Sequence, residues 1–460
     1  MSCMTTSSGR SAAVIGAGQT GVTAALGLLD NGFEVTIYSD RDQKSLRDDV
    51  PATGTSLIFG EAQRAEESLG LNTYLTTGPT STGQSVRVLN PQSSTPEEVA
   101  FDASFSGFRG IAVDTRLKAD DRLTLFQQRG GRFVVEPVDP ARLDAIAGSV
   151  DLTLVATGRG GLSQLFPIDP RRTAYDRPQR TLLTVTLTGL PHGPGVFAHR
   201  SPEGSAHNAF TVVTDQGESF LGGYLHKDIG PAWAFLGWAR PGSGWERRFA
   251  AADSPASALE IVNDLHRAYI DWDAPEVSAL RVIDEDPHSW LKGAVTQVVR
   301  NGVGRTASGH PVAALGDTAV TYDPIAGQGA QGGLIQAAAL VHKAAAHDGP
   351  FDGTWLRAAF EEFYVRRARG AQLVTRLFLG DPEFTEHGGL FFGAASASSR
   401  FASNLFGLLD DPRRFEPAAG SAAAARDLIT DLAGEPADDV LARFVPAGEF
   451  QRSQLAVSPV

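Results

Sequence analysis

Two glycine-bearing turns at opposite ends of this chain most constrain what it can fold into. The late one, Gly316-Asp317-Thr318-Ala319-Val320-Thr321-Tyr322-Asp323-Pro324-Ile325-Ala326-Gly327-Gln328-Gly329-Ala330, follows the apolar run Val312-Ala313-Ala314-Leu315. An alanine-rich helical pattern runs on from Gly332 to about Ala346, so the spacing predicts strand, loop and helix N-terminus. Asp317 just past the strand can accept hydrogen bonds from ligand hydroxyls. Pro324 stiffens the turn, and Gly327 and Gly329 let backbone N–H groups approach a ligand at the positive end of a helix.

The early turn is Gly16-Ala17-Gly18-Gln19-Thr20-Gly21, a GxGxxG run between the apolar strand Ser11–Ile15 and a helical pattern carrying Val22, Ala25, Leu26, Leu28 and Leu29. Asn31-Gly32 stops that helix, and Phe33–Tyr38 forms the next strand, ending at Ser39-Asp40-Arg41. In a βαβ unit the first glycine makes the tight turn, the second admits a pyrophosphate to backbone N–H groups, and the third allows close helix–strand packing. The acidic residue expected after the second strand is displaced by one: Ser39 comes first and Asp40 second. Asp40 is therefore either a ribose contact or a solvated loop charge. Two such turns, too far apart to serve one phosphate by local folding, must converge on one long ligand. Only one full GxGxxG precedes a helix, so one dinucleotide is expected to be held, with reducing equivalents brought from elsewhere.

With 460 residues the chain can build two or three cores. Its 42% hydrophobic and 20% charged content are those of a soluble globular protein. A net charge of −13 argues against nucleic acid and against an anionic membrane surface. The single cysteine, Cys3, allows neither a disulfide framework nor a cysteine metal site, and no metal site is expected. Lacking a long apolar run or a signal-like leader, the chain is expected in the cytoplasm.

Between the turns, a polar Ser/Thr/Pro-rich stretch from Thr76 to Thr95 reads as a mobile loop or edge hairpin. Arg116 opens a helix ending near Arg129, and is either aimed at a phosphate or ribityl chain or paired on the surface with Asp120. The turn Pro137-Val138-Asp139-Pro140 leads to the strand Leu152–Ala156, which closes in Thr157-Gly158. Ala156 and Gly158 suit close approach of a cofactor or a neighbouring strand. From about Arg180 to Arg305 alternating β-type runs predict an antiparallel sheet inserted as a second domain, whose inner face would cover the cofactor and form an apolar pocket. The chain then returns to the dinucleotide unit and ends in helices over about 354–379 and 422–444. The run Arg366-Arg367-Ala368-Arg369 is expected on a solvated helix face. The expected fold class is α/β: a Rossmann-like dinucleotide-binding domain (11–179 and 306–345), an inserted antiparallel β-sheet domain (180–305) and a C-terminal helical region (346–460).

Taken in order, Gly16–Gly21 with Tyr38-Ser39-Asp40-Arg41, Val113-Asp114-Thr115-Arg116-Leu117, Val155-Ala156-Thr157-Gly158, Arg177-Pro178-Gln179-Arg180 and Gly316-Asp317 with Asp323–Ala330 resemble the styrene and indole monooxygenases. These are oxygenase components of two-component FAD-dependent monooxygenases with the hydroxylase-type flavoprotein fold. The resemblance spans roughly residues 12–375. It implies reduced FAD supplied by a separate NADH-dependent flavin reductase, and O2 as co-substrate. A C4a-(hydro)peroxyflavin would then transfer one oxygen atom to an electron-rich C=C bond of a small hydrophobic aromatic or alkene substrate, by epoxidation or hydroxylation. Carried over residue by residue, Gly16, Gly18, Gln19, Thr20 and Gly21 would hold the pyrophosphate. Asp40 and Arg41 would lie by the adenosine, Arg116 by the phosphate–ribityl region, and Val138, Ala156 and Gly158 beside the cofactor. Gly316 and Asp317 would meet the ribityl chain, and Pro324, Gly327, Gln328, Gly329 and Ala330 the flavin N1/O2 edge.

The family's Asn-Thr-x-Ala-His run is replaced here by Thr53-Gly54-Thr55-Ser56-Leu57, and Gln331 stands where an Asn is common. Thr53, Ser56 and Gln331 are thus the substrate- and flavin-side candidates, and no acid–base residue is expected to carry the chemistry. The altered loop and longer C-terminus suit a larger alkene or indole in secondary metabolism. A single-component NAD(P)H-dependent aromatic hydroxylase and a non-catalytic flavin carrier remain as alternatives, and a homodimer is left open.

Overall fold

The computed structural model describes residues 9–53, 57–93, 97–201 and 205–445. Cys3 and Ser56 therefore lie outside the described residues.

The strand Ser11–Ile15 is the centre of a six-stranded sheet because every side chain after Ser11 is apolar and nearly fully buried, as a strand covered on both faces requires. On one side it pairs in parallel with Glu34–Ser39, then Arg132–Val135; on the other with Leu152–Val155, then Pro311–Ala314. Val303–Arg305 closes that edge antiparallel. Val14 sits opposite Ile37 on one neighbour and Leu154 on the other. The helix Gln19–Asp30 crosses the sheet, and the long helix Gln328–Ala345 packs on it closely. A Cβ at Gly27 would lie 3.0 Å from both Val341 methyls, so glycine there sets the spacing between the helices.

The second layer is a seven-stranded sheet in the order Trp290–Ala294, Thr181–Leu187, Gly230–Ala239, Gly217–His226, His207–Val213, Gly83–Leu89 and Glu97–Ser104. All pairings are antiparallel except the parallel one between His207–Val213 and Gly83–Leu89. The stretch read as a loop or edge hairpin is thus a hairpin at the sheet edge, and Gly83–Leu89 is buried along its whole length. The helices after residue 353 pack on the inner face of this sheet. One apolar core joins Val86, Phe101, Phe210 and Trp238 of the sheet to Phe384, Phe391, Phe401 and Phe415 of the helices. No helix among the described residues is long and apolar enough to cross a membrane.

The arginine run of residues 366–369 is not wholly solvated. Tyr364–Ala368 is a π-helical turn, and Arg367 is buried. Its guanidinium donates to Glu61 (2.7 Å), to Gln328 Oε1 (2.6 Å) and to the Asp410 and Leu409 carbonyls, tying the C-terminal helices to the start of the long helix. The extra residue of a π-turn rotates one arginine inward that a regular helix would leave outside.

A second buried ionic knot ties the start of the helix Thr115–Gln128 to the seven-stranded sheet. Arg116 donates from Nε to Asp114 (3.0 Å), from one terminal nitrogen to Val50 O (3.2 Å) and Asp286 (3.2 Å), and from the other to Asp114 (2.8 Å) and Asp286 (2.6 Å). His226, at the end of its strand, bonds Asp286 at 2.9 Å through Nε2. Burial would raise the Asp286 carboxyl, but the His226 and Arg116 hydrogen bonds outweigh it and hold the group well below the usual range. Removing one member strands the opposite charge, so Asp286→Ala is expected to cost about 3–5 kcal/mol. A urea unfolding midpoint equal to wild type would refute that estimate.

Candidate functional site

The carboxyl ends of the parallel strands open onto one cleft of about 890 Å³, where an open α/β sheet places its ligands. Both glycine turns face it. Gly16, Gly18, Gln19, Thr20, Gly21, Asp40, Thr53, Arg116, Val138, Ala156, Gly158, Gly316, Asp317, Gly329 and Ala330 all line it. Gln336 locks the late turn in place by accepting the Gly316 N–H (2.8 Å) and donating to Ala314 O (3.0 Å). The Thr318 hydroxyl donates to Gly158 O at 3.0 Å, so the turns after Leu152–Val155 and Pro311–Ala314 are bonded into one wall.

The three glycines of the early turn serve different needs. A Cβ on Gly16 would lie 2.4 Å from Ala156 O, and one on Gly21 would lie 2.1 Å from Gly16 O. Protein packing alone therefore demands both. A Cβ on Gly18 would meet nothing within 4 Å, so its bareness leaves room in the cleft rather than room for the protein. Gly18 caps the helix Gln19–Asp30 without any side-chain hydrogen bond, and Gly327, left-handed at φ +64°, caps Gln328–Ala345 in the same bare way. Asp114 and Asp139, by contrast, cap their helices with carboxylates. Two helix N-termini whose first-turn N–H groups lack side-chain caps thus border one cleft, as an anionic ligand requires.

The side chains offer acceptors and no free cation. Arg116 is the only cation among the described residues lining the cleft, and its five N–H donors are all engaged by Asp114, Asp286 and Val50. Neither expectation for it holds: it offers no donor to a phosphate, and Asp120 pairs with Arg47 instead. Asp317 carries no hydrogen bond on its carboxylate. Its exposed surface lies inside the cleft; the protein packed around it raises its pKa, which Arg159 and Arg300 partly oppose. The ligand that fits has phosphates for the helix ends and hydroxyls for Asp317 and Asp40. Those features describe a dinucleotide such as FAD.

The remaining candidates fall elsewhere. Arg41 is exposed and lines neither the cleft nor the apolar cavity described below. The Gln328 amide is buried and committed to Ala326 O, Leu409 O and Arg367. Gln331 is also committed, accepting the Phe59 N–H (2.9 Å) and donating to Gly327 O (3.0 Å). Both glutamines brace the turn rather than face a ligand, because a helix that starts this abruptly must satisfy buried polar groups around it. Pro324 and Gly327 line a second, apolar cavity of about 50 Å³ on the other side of that turn. Its walls include Phe59, Phe105, Phe210, Phe220, Trp238 and Phe378. Sequence reasoning missed the Glu136–Pro140 loop apart from Val138, although it follows a parallel strand and so had to reach the cleft edge. It missed the aromatic walls as well, since a buried Phe looks alike in core and pocket.

Beside that cavity, Asp323 accepts the Ile325 N–H through Oδ1 (3.0 Å), and its Oδ2 is buried without a partner. Burial pushes this carboxyl up to about 7; the Ile325 N–H and Arg180 pull it down, and Glu218 adds to the rise. The folded chain therefore holds a proton that the unfolded chain, at 3.8, has lost. Stability should fall as pH rises through that window, by up to about 1.4 kcal/mol per pH unit.

The chain is similar to several known proteins. Residues 158–275 match the family described as "Styrene monooxygenase A putative substrate binding domain". The chain is 24% identical over 342 residues to styrene monooxygenase StyA of a Pseudomonas species, covering 69% of this chain and 73% of that one. It is 23% identical over 325 residues to StyA of Pseudomonas fluorescens, with the same coverage. Among solved structures it superposes on a flavoprotein/dehydrogenase from Cytophaga hutchinsonii with a TM-score of 0.60 at 12% identity, covering 92% of this chain and 98% of that one. For a 2-methyl-3-hydroxypyridine-5-carboxylic acid oxygenase variant the TM-score is 0.52 at 16% identity, with 85% and 97% covered. The chain is thus similar to styrene monooxygenases and shares the fold of these solved flavoprotein structures, and the relatives support a FAD-dependent monooxygenase.

Two measurements follow from this geometry. Gly18→Ala should keep the wild-type melting temperature yet weaken FAD binding at least tenfold, whereas Gly21→Ala should destabilise the fold itself; a flavin titration beside a thermal melt separates them, and full affinity in Gly18→Ala would remove the pyrophosphate from this turn. Asp323→Asn should lose less stability than wild type between pH 5 and pH 8 in urea titrations, and parallel pH profiles would show that Asp323 stays ionised in the folded chain.

Proposed function

We propose that this chain is the oxygenase component of a two-component FAD-dependent monooxygenase, which epoxidises or hydroxylates the electron-rich C=C bond of a styrene- or indole-like substrate. The observation that carries the reading is the late turn itself. One side of it, Gly329 and Ala330, borders the large polar cleft, and the other, Pro324 to Gly327, borders the aromatic cavity. A cofactor in the cleft and an apolar substrate in the cavity would meet across that turn.

In this reading residues 11–179 and 306–345 hold FAD, residues 180–305 together with the strands of residues 83–89 and 97–104 cover the substrate, and the helices between residues 353 and 441 close the pocket from behind. Gly16, Gly18 and Gly21 admit the pyrophosphate to the first helix N-terminus, with Gln19 and Thr20 in that helix's first turn. Asp317 takes a ribityl hydroxyl. The uncapped start of the long helix faces the ring edge where negative charge develops on reduction. Bound in reduced form, FAD supplies the activation of O2. The apolar walls keep water from the reacting centre. Because the cleft offers helix dipoles rather than a free cation, the hold on the phosphates is modest, which supports a flavin that arrives reduced from a separate NADH-dependent reductase and leaves oxidised.

Styrene and indole supplied with FAD, NADH and a generic flavin reductase should yield oxygenated product that depends on this chain. NADPH consumption with product and no reductase would show a single-component hydroxylase instead. Peroxide equal to the FADH2 added, with no product from any substrate, would leave only a flavin carrier.

A further inference from the structure

The aromatic cavity has one polar side chain among the described residues that line it, Gln84. Gln84 lies on the buried strand Gly83–Leu89 and is only 6% exposed. Its amide makes no hydrogen bond to any protein group. An amide so placed is costly, since a buried polar group without a partner forfeits about 1–3 kcal/mol of desolvation. On the same wall, Trp238 is 3% exposed and its indole N–H is buried without an acceptor. Elsewhere around this turn buried amides are satisfied: those of Gln328, Gln331 and Gln336 are all bonded within the protein. Gln84 is thus an unmet polar group on the wall where a substrate would lie.

Both groups can donate to an acceptor. No Lys, Arg or His lines the cavity, so a carboxylate would enter it uncompensated. A neutral carbonyl oxygen is an acceptor that the Gln84 amide can serve and that the apolar walls tolerate. We propose that Gln84 is a specificity-determining residue, and that the substrate is an aromatic molecule carrying a neutral carbonyl-type acceptor rather than a plain hydrocarbon. The inference rests on the reading of this cavity as the substrate pocket and narrows it.

Size sets a further condition. The cavity volume of about 50 Å³ is well under the ~150 Å³ that accommodates benzene in an engineered core. Entry of an aromatic ring therefore moves side chains, and Phe105, Phe220 and Phe378 are the ring walls that are only partly buried. Gln84, on a strand paired on both sides, stays fixed while those rings yield. A fixed polar group opposite yielding apolar walls selects by hydrogen bonding more strictly than by shape.

The test compares two probes of nearly equal shape that differ in one atom group, acetophenone (C=O) and α-methylstyrene (C=CH2), by calorimetry on the FAD-loaded full chain. Wild type should bind acetophenone at least tenfold more tightly. Gln84→Leu should weaken acetophenone roughly tenfold, leave α-methylstyrene equal or tighter, and leave FAD affinity unchanged. If that variant does not fold, Gln84→Met replaces it, and the wild-type ratio is decisive without either. Equal binding of the two probes by wild type, an unchanged ratio in the variant, or binding of neither probe would overturn the proposal. Oxygenated product from styrene with an unchanged probe ratio would overturn this inference alone. The expected ratio without product from any substrate would overturn the proposed reaction and leave the pocket chemistry standing.

Discussion

The arrangement depends on aiming two helix N-termini at one volume without placing a free cation there. Each helix end offers about half a positive charge, worth 0.3–1 kcal/mol to a nearby anion at the surface and up to ~2 kcal/mol where partly buried. That gain exists only while water and side-chain caps stay away, which is why Gly18 and Gly327 stand where other helices of this chain carry Asp or Ser. The rest of the dinucleotide-type domain keeps these ends in position. Gly16 and Gly21 let strand, turn and helix touch, and Gln336 and Thr318 bolt the late turn to its neighbours.

The late turn also separates two solvents. Its polar side faces the large cleft and its apolar side faces a cavity built from the second sheet and the C-terminal helices. Holding a loop at such a boundary needs buried polar contacts, and the chain provides them through Gln328, Gln331 and Arg367. Arg367 couples the turn to the C-terminal helices, so residues far from any ligand fix the wall between the two compartments.

The sequence was legible where backbone geometry dictates composition. GxGxxG between two strands and Gly-Asp before a Pro–Gly turn can do little else, and both turns reach the cleft with Asp317 and Asp40 exposed in it. It was illegible where a side chain's role depends on what lies opposite. Arg116 looks the same whether it meets a phosphate or Asp286, which lies far along the chain. Gln328 and Gln331 sit inside the most specific motif yet serve the protein. The Thr76–Thr95 stretch hides a buried strand, because only Val86-Arg87-Val88 alternates within it and Gln84, Ser85 and Arg87 are buried without being apolar. Arg367 was unreadable for a different reason, since a π-turn shifts the helical phase that would have marked it as exposed.

The buried knot of Asp114, Arg116, Asp286 and His226 adds a last constraint. It lies beside the cleft, ties the helix Thr115–Gln128 to the seven-stranded sheet and consumes the one guanidinium among the described residues lining that cleft. Satisfying that guanidinium internally prevents a strong cation–phosphate pair, and an ion pair of that kind would hold the ligand through more than a helix end can supply. Stability of the helix-to-sheet junction and strength of ligand retention therefore draw on the same side chain, and this fold has assigned it to the junction. What the cleft then offers an anion is backbone N–H groups at two uncapped helix ends.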